Sequence, residues 1–427
     1  MIIGLVTLSY FSYKLLPSII RKDLISIGYT GTYQIENIPS EILSLVTRPL
    51  ISIDENGRPV PSLASHWSVS QDGKTYIVFL KDNQQWHDST AVDAQNISIA
   101  ITNVDITAIN NKTLEFKLPN PISSFPQALN KPIFKSKTFY GTGNFRIVKI
   151  DQIDNVVRKI ILHPNAPQFP KVEIKFYATE GQLLDALKIG EVKTGGITST
   201  QNLQNWPNLE IEKKIDTSQV TTIFLNNNDE KLSSKELRQA LYYAIDRQIF
   251  DGEIASGPIA PTSWAYNDTL KRYEYNIAKA KELLSKAGSG KVKITLSTTP
   301  GLDKVAQKIK ESWNAIGVDV EIQEEKTLPS SFQALLALNQ IPSDPDQYSL
   351  WHSTQTKTNI TGYKNVKIDK LLEDARQTSD EGKRKEFYSD FQRFLQEDTP
   401  AIFLYYPYRY TVTYKNAKEN LAKLHKL

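Results

Sequence analysis

The chain has 427 residues, 40% hydrophobic and 23% charged, ordinary globular usage with room for two or three cores. Its net charge of +4 is spread along the sequence without a basic run, which argues against nucleic acid as a partner. Cysteine is absent, and that excludes a disulfide framework, a thiolate metal site, a cysteine nucleophile and a lipid attached through cysteine.

Residues 2–20, IIGLVTLSYFSYKLLPSII, approach the roughly 20 apolar residues that cross a bilayer. Lys14 and Pro17 interrupt the run and no A-x-A-like site follows it. The segment therefore reads as an uncleaved signal-anchor, with a cleaved signal peptide and a buried helix as alternatives. Basic residues lie only within or after it, at Lys14 and Arg21-Lys22, so the charge rule for membrane helices points to a basic segment upstream of Met1.

Residues 61–67 bring in a strand, Asp72-Gly73 turns it in a tight hairpin, and residues 74–81 lead out as β-branched and aromatic strand. Asp93 is placed to cap a helix carrying Ile97, Ile99 and Ile101. Residues 113–118 (TLEFKL), 155–163 (NVVRKIILH) and 172–177 (VEIKFY) read as further strands. Helices begin to alternate with strands after Phe224. Ser233 and Glu236 stand in capping-box spacing, followed by Leu237, Ala240, Leu241, Ala244 and Ile245 along one helical face. Asn276 can cap a helix holding Ile277, Ala280, Leu284 and Ala287, with Gly288 placed to end it in the left-handed conformation. A βαβ unit follows: Val292, Ile294 and Leu296 alternate, Val305, Ala306, Ile309, Trp313 and Ile316 recur at helical spacing, and Val318, Val320 and Ile322 alternate again. Such a unit implies parallel strands.

Catalytic motifs are missing. The five histidines, His66, His87, His163, His352 and His425, are widely separated, without H-E-x-x-H or comparable zinc spacing. Neither a G-x-S-x-G elbow nor a P-loop is present. His87 reads as a satisfied loop histidine rather than a metal ligand.

The sequence PVPSLASHWSVSQDGKTYIVFLKDNQQWHDSTAVDAQNISIAI at residues 59–101 resembles the extracytoplasmic solute-binding proteins of family 5, the peptide, dipeptide and nickel binders that feed ABC importers. The resemblance returns at residues 237–249, 263–288, 344–353, 362–376 and 383–407, in the family's order. It implies an α/β fold of the two-lobed, periplasmic-binding-protein-like type (class II, oligopeptide-binding), to which the apolar run at 2–20 adds an N-terminal transmembrane helix. After Ile101 the sequence passes almost at once into ITAINNKTLEFKLPNP, so the extra subdomain of the family is expected in reduced form. The expected division is an anchor or signal segment at 1–22, a first lobe at 23–225 plus 400–427 with the subdomain around 45–135, and a second lobe at 226–399. Crossings are expected near Phe224-Leu225-Asn226 and near residues 400–406, forming a hinge. The implied function is capture of an oligopeptide or similar solute and its delivery to ABC permease subunits, by a monomer that is held on the cell membrane outside the cytoplasm and carries no cofactor, resident metal or enzymatic activity. The alternative is an anchored sensor or interaction module that keeps the binding fold.

The resemblance also implies where the ligand sits. The segment SDPDQYSLWHS, residues 343–353, corresponds to the family's cleft-lining loop and short helix. Tyr348 and Trp351 offer aromatic cover, and Asp344, Asp346 and His352 offer polar contacts. The alternative places Trp351 in the core and makes Asp346 a helix cap. Where many peptide-binding relatives carry an acid for the peptide ammonium, Ile341 stands here, leaving Asp344 or Glu36 as substitutes. Tyr33 and Glu36 occupy the early loop, Trp264 and Tyr266 the segment opening the second lobe, and Tyr406, with Tyr405 and Tyr408, the returning chain. A chelated metal ion at His352 is the minor reading.

Overall fold

The computed structural model describes residues 24–200, 203, 206–270, 273–288 and 290–424; the apolar run at 2–20 lies outside them. Among the described residues no helix is long and apolar enough to cross a membrane.

One mixed sheet runs through the molecule and is shared by two bodies. Its order is Phe145–Ile153, Val156–Pro164, Lys171–Tyr177, Leu24–Thr30, Thr194–Ile197, Ala401–Tyr414, Gln219–Leu225, Ala334–Gln340, Lys293–Thr298 and Asp319–Glu324. The strand Ala401–Tyr414 belongs to both halves. From Ala401 to Tyr405 it pairs with Gln219–Leu225, whereas from Tyr408 onward it pairs with Leu209–Ile215 and Thr194–Ile197. Residues 216–218 carry the second connection, because they join Leu209–Ile215 in one half to Gln219–Leu225 in the other.

This places the first crossing upstream of the expected Phe224-Leu225-Asn226. Val220, Thr221, Thr222, Ile223 and Leu225 are all buried, the pattern of a central strand covered on both faces. A strand of that kind has to lie wholly inside the second half-sheet, so the chain crosses before Gln219.

The first half-sheet is packed by the helices Ser40–Val46 and Lys418–Leu424 on one face and Glu180–Lys188 on the other. Thr179 caps the last of these through its hydroxyl, accepting from the Gln182 amide. The second half-sheet buries one face against Lys235–Tyr243, Ile277–Lys286 and Asp303–Asn314, and the other against Val366–Gln377 and Glu381–Asp398. Lys293–Thr298 and Asp319–Glu324 are parallel, as the βαβ pattern requires. Asn276 caps its helix by accepting from the Lys279 amide, and Gly288 follows at φ +67°. Ser234, one residue after Ser233, is the cap of Lys235–Tyr243. Leu237, Ala240, Leu241, Ala244 and Ile245 are buried together.

Within the region 45–135 lies a small body with a core of its own, built on an antiparallel sheet of order Ala64–Val69, Thr75–Leu80, Thr113–Lys117, Asp105–Asn110. Leu63, Val78, Leu114 and Phe116 fill that core at 2% exposure or less. Gly73 takes φ +69° in the hairpin turn, and the Asp72 carboxylate accepts from the Ser70 hydroxyl and the Lys74 amide. The helix expected after Asp93 shrinks to a single 3-10 turn, Ala94–Asn96, followed by the short strand Ile97–Ser98. Asp93 does cap, accepting from the Gln95 amide. But isoleucines at every second position are β-branched and alternate faces, which favours extended chain over helix.

Candidate functional site

The carboxyl ends of the strands converge on the two crossings. Leu24–Thr30 and Lys171–Tyr177 run in parallel and end together at Thr30 and Tyr177, and Thr194–Ile197 ends opposite Tyr410. From the other half, Ala334–Gln340 ends opposite Gln219, and the Ile341 amide donates to the Ser218 carbonyl at 2.8 Å. Ligands of open α/β sheets bind beside such strand ends, which puts the candidate cleft between the loop after Thr30 and the segment after Gln340.

The first wall holds Tyr33 and Glu36. Tyr33 donates its hydroxyl to the Thr30 carbonyl at 3.0 Å, packs its ring 5.2 Å from Phe176, and its carbonyl accepts from the Val157 amide. Partial burial raises its phenol pKa. Glu36 is exposed, in the 3-10 turn Ile35–Asn37.

The second wall brings Trp264, Tyr266, Asp344, Asp346 and Tyr348 to one region. Asp344 is buried and ion-paired to Arg384 at 2.9 Å, with side-chain exposures of 10% and 9%. Burial pushes the Asp344 carboxyl above its usual range, while the Arg384 charge opposes that shift. The Arg384 guanidinium lies 5.1 Å from the Trp264 ring and 5.6 Å from the Tyr388 ring. Asp346 accepts from Arg376 Nε at 2.9 Å and from the Tyr348 amide at 3.0 Å; it is thus a cap-like acceptor and an ion-pair partner together. Arg376 also lies over the Tyr348 ring at 4.1 Å. Tyr266 is half-buried against the same core.

Arg376 and Arg384 were missed in the sequence, although one signal was available. Arg384, Tyr388, Phe391 and Leu395 recur at helical spacing and are all buried on one face of Glu381–Asp398. A charge on an otherwise apolar face needs a buried partner.

The small body at 45–135 is docked on this wall. The Trp264 amide donates to the Asn56 carbonyl at 3.1 Å, and the Ser123 amide to the Arg376 carbonyl at 2.8 Å. Gln127 Nε2 donates to the Gly57 carbonyl at 2.7 Å and approaches Asp344 Oδ2 at 3.5 Å, and Ser124 Oγ donates to Asp346 Oδ2 at 3.3 Å. Arg58 pairs with Glu381 through Nε and Nη2 at 2.8–3.2 Å. Gly57 is required here, because at φ +82° a Cβ would stand 2.9 Å from the Ser343 carbonyl oxygen.

Trp351, His352 and Tyr406 lie deeper. Trp351 is 1% exposed, donates Nε1 to Gln347 Oε1 at 3.2 Å, and meets Phe403 edge-on. The His352 ring contacts the Thr354 hydroxyl at 2.8 Å and Glu373 at 3.3 Å, and stacks on Tyr348. Tyr406, 2% exposed, donates to the Ile259 carbonyl at 3.3 Å, and burial raises its pKa. His87 accepts at Nδ1 from the Gly141 amide and donates Nε2 to the Gly143 carbonyl. No cluster of three or more metal-ligating side chains occurs among the described residues.

Comparison with known proteins gives the same architecture. The oligopeptide-binding protein AppA of Bacillus subtilis is 28% identical over 80% of this chain and 67% of its own length. The solved structure of NikZ from Campylobacter jejuni in complex with Ni(L-His) superposes with a TM-score of 0.76 at 23% identity, covering 92% of this chain and 94% of that one. The structure of B. subtilis AppA in complex with a nonapeptide gives 0.71 at 23% identity, with the same coverage. Residues 58–361 match the family described as "Bacterial extracellular solute-binding proteins, family 5 Middle". With a two-lobed α/β fold, strand ends converging on two crossings and a family match over most of its length, this chain belongs to the family 5 extracellular solute-binding proteins.

Proposed function

We propose that the protein captures an oligopeptide or a similar solute between its two lobes and delivers it to the permease of an ABC importer. As a member of a family of extracellular solute-binding proteins it works outside the cytoplasm and binds its solute without chemical change. The observation that carries the reading is the pair of crossings, at 216–218 and at Tyr405–Tyr408, that link the two half-sheets at the mouth of the cleft. Two connections allow one body to rotate on the other, and a ligand that touches both shifts the balance toward closure through its greater affinity for the closed form. In this reading the first lobe is 24–215 plus 408–424, carrying the small body at 45–135 as a reduced subdomain, and the second is 219–405, with 216–218 and 406–407 as the crossings. Tyr33, Glu36, Trp264, Tyr266 and Tyr348 line the walls. Asp344 and Asp346 shape the second wall as internal ion-pair partners, and Trp351, His352 and Tyr406 support it from behind. Native mass spectrometry of the protein from about residue 27 onward, purified without refolding, tests the reading. Copurified peptides are expected; an empty protein with no thermal shift across a peptide library overturns it.

The contacts of Asn56, Arg58, Ser123, Ser124 and Gln127 with the second lobe hold the closed arrangement. Combining Arg58→Ala with Gln127→Ala is expected to lower stability by only about 1 kcal/mol, since the charge pair is exposed, while raising the radius of gyration of the ligand-free protein in solution scattering. An unchanged radius removes these residues from closure.

The monomer is held at the membrane by residues 2–20 as a single-pass anchor. Deleting residues 1–22 is expected to release a soluble folded protein, and persistent membrane association of that truncation excludes the anchor.

A further inference from the structure

Beside the first wall, and running down the sheet face from Tyr29 and Arg409, the first lobe contains a groove of about 1170 Å³ lined on one side by the helix Ser40–Val46. Its floor combines glycines and threonines with two glutamates and Ile27. Register places Ile27, Thr194, Thr413 and Glu210 in one cross-strand row and Gly196, Thr411 and Glu212 in the next. A Cβ on Gly196 would meet nothing within 4 Å, whereas one on Gly195, facing the opposite side, would meet Leu183. The chain has therefore left open space over the middle of a sheet that is otherwise covered.

Most charges around this groove are already neutralised. Lys418 pairs with Glu210 at 2.6 Å, Lys214 with Glu212 at 2.9 Å, and Arg409 with Asp216 at 3.3 Å. Two are not. Among the described residues the Glu41 carboxylate has no hydrogen-bond or ionic partner, and the Arg48 guanidinium donates to the neutral Gln84 amide oxygen at 2.7 Å without a carboxylate partner. Both line the groove, Glu41 in the first turn of the helix and Arg48 just beyond its last. Glu41 and Arg48 are seven residues apart, five of those steps along the helix and two beyond its end, where Thr47 is extended, so their Cα atoms stand on the order of 10 Å apart. An extended peptide covers ~3.3–3.6 Å per residue, so about three residues reach from one charge to the other.

We infer that this groove, which adjoins the first wall at one end and leads away from it along the sheet face, is a second ligand site for a short zwitterionic peptide whose ammonium meets Glu41 and whose carboxylate meets Arg48. The threonine hydroxyls and strand-edge carboxylates of the floor supply polar contacts to the peptide backbone, and the open space above Gly196 admits small side chains. Opposite charges at the two ends select against a simple anion or cation, each of which leaves one end unmatched.

Titration calorimetry with trialanine, and with N-acetyl-trialanine amide as the uncharged control, tests the site. Trialanine is expected to bind and the control not. Glu41→Gln and Arg48→Gln are each expected to weaken trialanine about tenfold, the effect of losing one charged hydrogen-bond partner. Gly196→Leu fills the floor without displacing a neighbour and is expected to abolish binding while keeping the melting temperature. In all three variants any peptide copurifying in the interlobe cleft should remain, which separates this site from the cleft. Trialanine binding that survives Gly196→Leu, or equal binding of the uncharged control, overturns the inference, as does the absence of trialanine binding at millimolar concentration. If Gly196→Leu fails to fold, the two charge variants on the groove rim decide the matter.

Discussion

Arg384→Met, made with Asp344 left in place, is expected to destabilise the protein by about 3–5 kcal/mol, the cost of stranding one member of a buried ion pair. The pair is enclosed, with side-chain exposures near one tenth on both sides, so water cannot rehydrate the carboxylate that remains. Asp344 keeps the Asp346 amide as a donor at 2.8 Å and has Gln127 Nε2 at 3.5 Å, but neither carries a charge. The double variant Asp344→Asn, Arg384→Met is expected to recover at least half of the loss. Asparagine can still accept from the Asp346 amide, and methionine fills the space beside Trp264 and Tyr388 without a charge to be compensated. Urea unfolding of the wild type, the two single variants and the double variant measures the coupling. A double variant as unstable as Arg384→Met alone shows that Arg384 acts by packing on the rings instead of by pairing.

The same pair bears on ligand choice. Asp344 and Asp346 were the acidic candidates nearest the ligand segment, yet each already meets a guanidinium from a helix of its own lobe. A ligand ammonium would have to displace an arginine in order to use them. Among the described residues Glu36, exposed on the opposite wall, makes no side-chain hydrogen bond or ion pair that would have to be broken first.

Much of the fold was legible because its signals are local. The hairpin follows from Asp72-Gly73 between alternating strands, and the βαβ unit from a change of period within some thirty residues. The helix capped by Asn276 and closed by Gly288 follows from caps alone. What escaped depends on distant partners. The crossing was placed too late because Gln219–Leu225 is buried on both faces and shows no alternation to mark its start. The docking of the small body was invisible because it relies in part on the backbone carbonyl of Asn56 and the amide of Ser123, which any residue provides. Asp344 and Asp346 were found as residues but not as ion-pair partners, since their arginines sit on helices some thirty to forty positions away. The groove of the first lobe depends on a strand register between residues near 27, 195, 211 and 412, and no local pattern encodes it.

Trp351 divides the core reading from the cleft reading, and its replacement by alanine is expected to cost about 3–5 kcal/mol, the range for emptying a large buried side chain. Its ring is 1% exposed among Phe403, Tyr406 and the helix Val366–Gln377. The polar side adds to the loss. Gln347 is fully buried, its Nε2 has no partner among the described residues, and its Oε1 accepts the indole Nε1–H. Alanine therefore leaves a buried amide with neither of its polar atoms engaged, at about 1–3 kcal/mol, unless water enters the cavity. Trp351→Phe separates these contributions: it keeps most of the ring volume and loses only the indole donor, so a smaller loss is expected. Urea unfolding of both variants supplies the numbers. A loss below about 1 kcal/mol for Trp351→Ala, accompanied by weakened binding of copurified solute, would instead place the ring at the cleft surface in solution. Then the wall that holds Tyr348 must open by more than the docking of the small body allows.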